Sequence, residues 1–499
     1  MARPAGKTSV REEHRQAVVV GSGFGGAVAA LRLAEAGVPT LVLERGRRWR
    51  SGPAGNPFPR LSRPDRRMRW PAHLSPPPDA RPELLPRYAG LVERVVGHGM
   101  RVLCGAGVGG GSLHYGGASI RPSEELFGRV MPSGVDFEEM DLTYYPRAAA
   151  VLRLSPIPDD VLRHERYTSS RRFLADARTA GLRTFRIPQP MDWDVVRKEL
   201  SGELPPWSTC GEVHCGVNND ARYSVDKTYL AAAEATGLCE VAPLHIVRDL
   251  AGGTDHRYTL TCDRVALDGT VLEHVKVSTN VVFLAAGSVG TSRLLVRARG
   301  TRALPDLPDE VGEHWGNNGD RIYLRALLPY STLPHQGGPA CVGAHDWESS
   351  TMPTTVQHIP LPFGIETRTA LLGCMGLPDG RGAFRYEPGT GAVGLTWARA
   401  ADRGAGRAAQ AAVARLTDAG GGVAVNLTAG YPLTVHPLGG AVIGPVCDQA
   451  GRVHGHPGLH VTDSALIPGS TGCCNPSWTI TALAERCMHR LLSKGTDFC

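Results

Sequence analysis

The feature that most constrains this chain is a glycine turn set between two short apolar runs. Residues 17–46 read as strand, turn, helix, strand: Val18-Val19-Val20, then Gly21-Ser22-Gly23-Phe24-Gly25-Gly26, then an Ala- and Leu-rich stretch, then Thr40 to Glu44. Apolar Val28, Leu31 and Leu33, with Gly37 as a stop signal, predict the helix. The run TLVLE is of the kind found in parallel strands buried on both faces. A βαβ unit of Rossmann type follows, and with it an α/β fold.

In the Gly21-x-Gly23-x-x-Gly26 spacing the first glycine permits the tight turn, the second lets a pyrophosphate approach, and the third allows close helix packing. Glu44 ends the second strand 18 residues past Gly26, where a carboxylate can accept hydrogen bonds from a ribose diol. Taken alone, this element suits FAD and NAD equally. Its cofactor-binding candidates are Gly21, Gly23, Phe24, Gly25, Gly26, Glu44 and the adjoining Arg45.

At 499 residues the chain favours two joined domains over one. With 42% hydrophobic and 20% charged residues it has the composition of a globular protein, and no segment approaches the ~18 apolar residues of a membrane span. Stable membrane insertion is therefore not expected. The first sixteen residues are polar and lead into the glycine motif without a cleavage-site pattern, which predicts a cytoplasmic protein. Twelve cysteines without regular spacing fit reduced thiols better than a disulfide framework. Nine arginines between Arg45 and Arg69 stand out against a net charge of only +6. They are read as a solvated excursion whose positive potential helps hold an anionic cofactor, since no nucleic-acid motif accompanies them.

From Arg47 to about Pro86 the sequence is rich in Pro, Arg and Gly, and predicts a surface excursion that can act as a lid. A second glycine cluster, Cys104 to Gly117, must bring backbone close to an anionic partner. Residues 240–300 alternate as a small antiparallel excursion that returns to a parallel strand at 281–287. Residues 320–430 mix strand-like stretches with an Ala-rich helix, Ala408 to Ala419, and predict a second domain. No internal repeat or low-complexity tract appears.

The C-terminal part carries HPLGG (His436 to Gly440), GRVHGHPGLHVTDSALIPGS (Gly451 to Ser470) and NPSWTITALAER (Asn475 to Arg486). This series resembles the glucose–methanol–choline oxidoreductases. The GVGGGSLHYGG cluster, the VDKTYLAAA stretch from Val225 and the LVRARGT stretch from Leu295 resemble bacterial cholesterol oxidases that hold FAD non-covalently, and the likeness runs from about Ala17 to Leu492.

The resemblance implies a Rossmann-type FAD-binding domain (14–46, 95–125, 226–315 and 436–499), interleaved with an α+β substrate-binding domain built on a β-sheet (47–94, 126–225 and 316–435, including the lid excursion). To the cofactor candidates it adds Gly107, Gly110, Gly111, Ser112, His114, Tyr115, Gly117, Ile246, Gly287, Asp463, Asn475 and Pro476. It implies that His436 sits beside the reactive edge of the flavin and relays the substrate proton, with Asn475 as the second active-site position. From the residues alone, Asn475 also suits a helix cap. Asn475-Pro476 opens a helix with Ile480, Leu483 and Ala484 facing inward, and its N-terminus can stabilise negative charge on a reduced flavin. The implied activity is oxidation of a secondary alcohol on a bulky, apolar, steroid-like or polycyclic molecule, with dioxygen as acceptor. A lyase, or a dehydrogenase with another acceptor, is the alternative within the same superfamily.

One position departs from the pattern. Cholesterol oxidases carry a cavity glutamate that shifts a steroid double bond. Aligned on the PxPxGxET frame of HIPLPFGIET, this chain has Gln357 there, and an amide cannot act as a general base. The expectation is oxidation without isomerisation, unless His358 or Glu366 supplies a base; strand alternation should point Gln357 and His358 to opposite faces. Cys104 and, less well placed, His98 lie near where covalent-flavin relatives attach their cofactor, so a thioether is the alternative to non-covalent FAD. Cys473-Cys474 beside Asn475, and the pair Cys210 and Cys215, are read as packing residues. His454, His456 and His460 lack the spacing of a metal site, and no metal is expected. Oligomeric state leaves no mark in the sequence.

Overall fold

The computed structural model describes residues 10–51, 57–71, 86–362, 364–430 and 432–493. Most of the proline-rich part of the expected lid, residues 75–85, lies outside them. A five-stranded parallel sheet forms one half, in the order Leu459–Val461, Val281–Leu284, Ala17–Val20, Thr40–Leu43, Cys239–Ala242. Its three central strands are buried at every position because both faces are covered. Val19, Val42 and Phe283 pack with the helices Phe24–Glu35 and Pro476–Leu492, while Val18, Val20, Leu41, Leu43 and Leu284 enter a second core on the opposite face.

The helices Phe24–Glu35 and Pro476–Leu492 are tied by a buried ion pair. Arg32 donates to both oxygens of Glu485 at 2.8 and 2.7 Å, and the Tyr229 hydroxyl donates to the same carboxylate at 2.8 Å. Because Glu485 is fully buried, this bidentate pair ties the last turn of the first helix to the middle of the second.

The second half is a six-stranded antiparallel sheet in the order Val423–Asn426, Arg321–Ala326, Ala370–Gly376, Thr354–Ile359, Val342–Asp346, Arg183–Arg186. The helices Thr168–Thr179 and Arg403–Gly420 cover one face, burying Val342, Val356 and Leu372 against Phe173, Val413 and Leu416.

The excursion between residues 240 and 300 is antiparallel as expected: His245–Gly252, Tyr258–Val265 and Val271–Thr279 pair in sequence. Two details differ from the sequence reading. The return strand ends at Leu284, and Gly287, at φ +76°, opens the helix Gly287–Gly300. The polar leader contributes a strand, Val10–His14, which pairs in parallel with Val271–Thr279. Its side chains are largely exposed, so no apolar periodicity announces it. Among the described residues no helix is long and apolar enough to cross a membrane.

Candidate active site

The carboxyl ends of the parallel strands open on a cavity of about 790 Å³, within the roughly 300–1,000 Å³ usual for a small-molecule site. Gly21, Gly23, Phe24 and Gly25 line it. A Cβ on Gly21 would lie 2.3 Å from the Ala285 carbonyl oxygen, one on Gly25 1.9 Å from that of Thr462, and one on Gly26 2.0 Å from that of Gly21. These glycines are packing contacts, and Gly26 itself lies behind the cavity wall. At Gly23 the nearest atom to such a Cβ is Gly110 Cα at 4.0 Å, so the space beside it is open. Gly23 is the N-cap of the helix and supplies no side-chain cap, leaving backbone N–H groups free to meet an anion.

From the second glycine cluster, Gly110, Gly111, His114 and Tyr115 line the cavity. Gly107, Ser112 and Gly117 stand behind them. A Cβ on Gly117 would meet Gln189 Oε1 at 2.2 Å, while Ser112 Oγ accepts from Val225 N at 3.0 Å and donates to Gly109 O at 2.7 Å. Tyr115 packs edge-on against Phe24, their centroids 5.5 Å apart. Glu44 lines the cavity, but its carboxylate accepts from Ser22 N and Oγ at 3.1 and 2.6 Å, Gly46 N at 2.8 Å and Gly107 N at 3.3 Å. With its four acceptor positions taken, Glu44 clamps three loops around the cavity, and a ribose hydroxyl has to displace a donor to reach it. Arg45 pairs with Glu93 and donates to Gly105 O at 3.0 Å.

Three helix N-termini meet at this cavity. That of Gly287–Gly300 is capped: Asp463 accepts from Gly287 N at 2.8 Å and Thr291 Oγ1 at 2.5 Å, and Ser464 Oγ accepts from Ser288 N at 2.9 Å. Burial raises the Asp463 carboxyl to about 6 against these bonds. The helices Phe24–Glu35 and Pro476–Leu492 have no side-chain cap. Buried His114 Nε2, His214 Nε2 and Arg293 Nε, on residues that line the cavity, have no hydrogen-bond partner among the described residues. Burial and the nearby Arg222 hold His114 and His214 down at about 4, so both are neutral. Ile246 and Pro476 supply apolar wall. An anionic dinucleotide with hydrogen-bonding rings fits such a lining.

His436 and Asn475 line the same cavity. Asn475 is the N-cap residue of its helix, yet its side chain makes no capping bond. Instead Asn475 Nδ2 lies 3.3 Å from His436 Nε2, and its Oδ1 accepts from Gln357 Nε2. The capping alternative for Asn475 therefore gives way to a site contact. The other imidazole nitrogen, Nδ1, is 2.8 Å from Asp320 Oδ1. Asp320 is buried at 6% exposure, and its Oδ2 accepts from Thr434 Oγ1 at 2.7 Å and Val435 N at 3.1 Å. Sequence reasoning missed Asp320, which sits 116 residues from its partner in an unremarkable Asn-Asn-Gly-Asp turn.

Gln357 belongs to the second sheet, and the register defines its surroundings. Gly343 and Gly373 flank it on the neighbouring strands, followed by Phe185 and Ile322. Two residues along, Ile359, Leu371, Leu324 and Val425 form an apolar row across four strands on the same face. His358 points to the opposite face, as alternation requires. It lies 2.8 Å from Ser169 Oγ and 3.3 Å from Ser170 Oγ, and burial lowers it to about 4. Glu366 is tied to Ser331, to Thr332 Oγ1 at 2.9 Å, and to the backbone N–H groups of Leu333 and Arg368 at 2.8 and 2.7 Å. Burial works against ionisation there, but these donors hold the carboxyl at about 2.

Of the remaining candidates, Cys104 and Cys215 also line the cavity. Cys104 faces the Glu93, Arg45 and Arg293 cluster, and burial, with Glu93, raises its thiol to about 12. The imidazole-bearing residue His98 borders a separate groove with His314 and Arg381. Cys210, Cys215, Cys473 and Cys474 are free and buried. His460 stacks on Phe283 at 4.8 Å, His454 Nε2 lies 2.9 Å from Gly444 O, and among the described residues no His, Cys, Asp and Glu cluster could hold a metal. The arginines of the excursion are largely engaged: Arg48 donates to both oxygens of Glu234 at 3.0 and 2.6 Å, Arg60 lies over the Trp207 ring at 3.9 Å, and Arg47 over that of Trp49 at 4.7 Å.

Residues 19–89 match the family model of an NAD(P)-binding Rossmann-like domain, residues 319–427 that of a GMC oxidoreductase, C-terminal, and residues 397–484 that of a GMC oxidoreductase. Over 96% of its length the chain is 28% identical to a cholesterol oxidase of Mycobacterium tuberculosis, covering 91% of that protein. It is 23% identical to one of Acinetobacter baumannii, over 96% of this chain and 94% of the other. Among solved structures it resembles pyridoxine 4-oxidase from Mesorbium loti (TM-score 0.63, 16% identity, 96% of this chain and 99% of that one). It likewise resembles a fungal aryl-alcohol oxidase (TM-score 0.65, 15% identity, 97% and 99%).

These matches, with a glycine-lined cavity that carries a histidine and an amide on its wall, indicate a flavin-dependent oxidoreductase acting on CH–OH donors. Residues 319–484 thus carry GMC oxidoreductase family domains, and over 96% of its length the chain is cholesterol-oxidase-like in sequence.

Proposed function

We propose that this protein binds FAD non-covalently and oxidises a secondary alcohol on a bulky apolar molecule to the ketone, with dioxygen as final acceptor and without shifting a steroid double bond. The observation that carries the reading is the His436–Asn475 contact on the cavity wall. FAD, when bound, supplies the acceptor for the hydride that leaves the carbinol carbon. His436 Nε2 takes the hydroxyl proton, and the amide of Asn475 donates to the hydroxyl oxygen and holds it beside the imidazole. The uncapped N-terminus of Pro476–Leu492 favours negative charge at that end of the cavity. The alcohol loses a hydride and a proton; dioxygen takes up two electrons and two protons as hydrogen peroxide.

Non-covalent binding is supported by the thiol of Cys104, which lines the cavity but is raised to about 12 by burial and Glu93 and so is little ionised as a nucleophile. An apolar guest is supported by the row Ile359, Leu371, Leu324 and Val425 next to Gln357. Oxidation without isomerisation is supported at all three positions that could carry a base. Gln357 is an amide, His358 faces the helix layer, and Glu366 is held ionised in a loop by its own donors.

The test is a dark, anaerobic screen of steroids and other polycyclic alcohols, read as loss of flavin absorbance. Bleaching by an apolar secondary alcohol is expected. Turnover without bleaching or acceptor consumption would replace the reading with a lyase, and a bleached flavin that fails to reoxidise in air would replace the oxidase with a dehydrogenase.

A further inference from the structure

The hydrogen bonds around His436 form an unbranched series from Asp320 through His436 and Asn475 to Gln357. Its direction follows from one end. Both Asp320 oxygens are acceptors: Val435 N–H can only donate to Oδ2, the Thr434 hydroxyl reaches the same oxygen, and Oδ1 faces the imidazole. Nδ1 of His436 must therefore carry the proton. A neutral imidazole protonated there has a bare lone pair at Nε2. Asn475 then has to present its NH2 to Nε2, which turns its Oδ1 toward residue 357, and residue 357 has to be a donor. Gln357 is one; a glutamate there would push the amide oxygen back toward the imidazole lone pair. The carboxylate at 320 and the amide at 357 are thus matched across two sheet-borne segments.

We propose that Asp320 is the positioning residue of this site: it fixes the His436 tautomer and, through it, the orientation of the Asn475 and Gln357 amides, so that the one unprotonated ring nitrogen is Nε2, beside Asn475 on the cavity wall. Asp320 is held for the task by burial and by its bonds to Thr434 and Val435, on the strand-to-histidine segment that carries His436 itself. The inference rests on the reading of His436 as proton acceptor for its use, but the tautomer stands or falls independently of it.

The experiment is ¹⁵N NMR of the flavin-loaded enzyme with labelled histidine, the His436 signals being assigned by their loss in His436→Ala. The wild type is expected to show one protonated nitrogen, Nδ1, and one bare nitrogen, Nε2, in a single form. In Asp320→Asn a second, Nε2-protonated form should appear at comparable population, because a neutral amide can present either end. Asp320→Glu should restore the single form. A wild-type His436 protonated at Nε2, or an Asp320→Asn enzyme with the wild-type pattern, overturns the inference. Should Asp320→Asn not fold, the wild-type and Asp320→Glu spectra still decide it. Loss of this pattern contradicts the role of Asp320, whereas an unchanged pattern combined with undiminished flavin bleaching in His436→Ala contradicts only the base.

Discussion

Gly23→Ala separates folding from cofactor binding at the glycine turn. Gly23 lies at φ −71° and ψ −165°, a conformation open to any residue, and its added Cβ would meet nothing nearer than Gly110 Cα at 4.0 Å. Folding should therefore change little. Alanine gains about 0.4–1 kcal/mol from a less flexible unfolded chain and loses a similar amount as a poorer N-cap than glycine. The added methyl instead occupies the space through which a diphosphate reaches the free N–H groups of the helix. Losing two hydrogen bonds to a charged group, at roughly 1.5–3 kcal/mol each, amounts to at least about 10²-fold in affinity. Gly26→Ala is the contrast, because its Cβ would sit 2.0 Å from the Gly21 carbonyl oxygen and the helix would have to move. Flavin-to-protein absorbance ratios, FAD titration of the stripped proteins by fluorescence quenching, and thermal melts distinguish the two. Gly23→Ala should melt like the wild type without flavin and bind FAD at least about 10²-fold more weakly. A Gly23→Ala protein with wild-type flavin content and affinity would refute the assignment of this gap to the pyrophosphate.

Three further outcomes follow from the geometry. His358 is neutral in the folded state at about 4 and ordinarily titrates near 6.5, so the unfolded chain binds its proton first; its contribution is intact above about 6.5 and is lost as the pH falls toward 4. The loss amounts to about 3 kcal/mol, and urea midpoints measured across that window should fall less steeply in His358→Gln. Removing one partner of the buried Arg32–Glu485 pair, as Glu485→Gln, should cost about 3–5 kcal/mol and lower the melting temperature while leaving the Arg32→Ala, Glu485→Ala double variant less affected than the sum. Acid-denatured protein, freed of small molecules by gel filtration, should lose its yellow chromophore, and chromophore that stays with the polypeptide would contradict non-covalent FAD.

Much of the nucleotide-binding half is legible in the sequence because its signals are local. The glycine turn, the apolar strands and the Asn475-Pro476 helix start each need only neighbours in the chain to be recognised. The strand Val10–His14 is not legible, since it is joined to the sheet by backbone pairing and exposes its side chains. Glu44 shows a different failure. Its position is read from spacing, but the saturation of its carboxylate by Ser22, Gly46 and Gly107 depends on a glycine cluster more than sixty residues away. Asp320 is the plainest case: nothing in an Asn-Asn-Gly-Asp turn marks it, and only the tertiary fold brings it to His436. Gln357 could be singled out as a departure from a pattern, yet its bond to Asn475 belongs to the tertiary structure.

The central claim, that His436 accepts the proton of an apolar secondary alcohol as its hydride leaves, is tested most directly by anaerobic stopped-flow reduction of the flavin in wild type and His436→Ala with the same alcohol. Wild-type bleaching and a rate lower by roughly 10²–10⁴-fold in the variant, at equal flavin content, are predicted. Equal rates in the two proteins, or ketone formed without any bleaching, would contradict it.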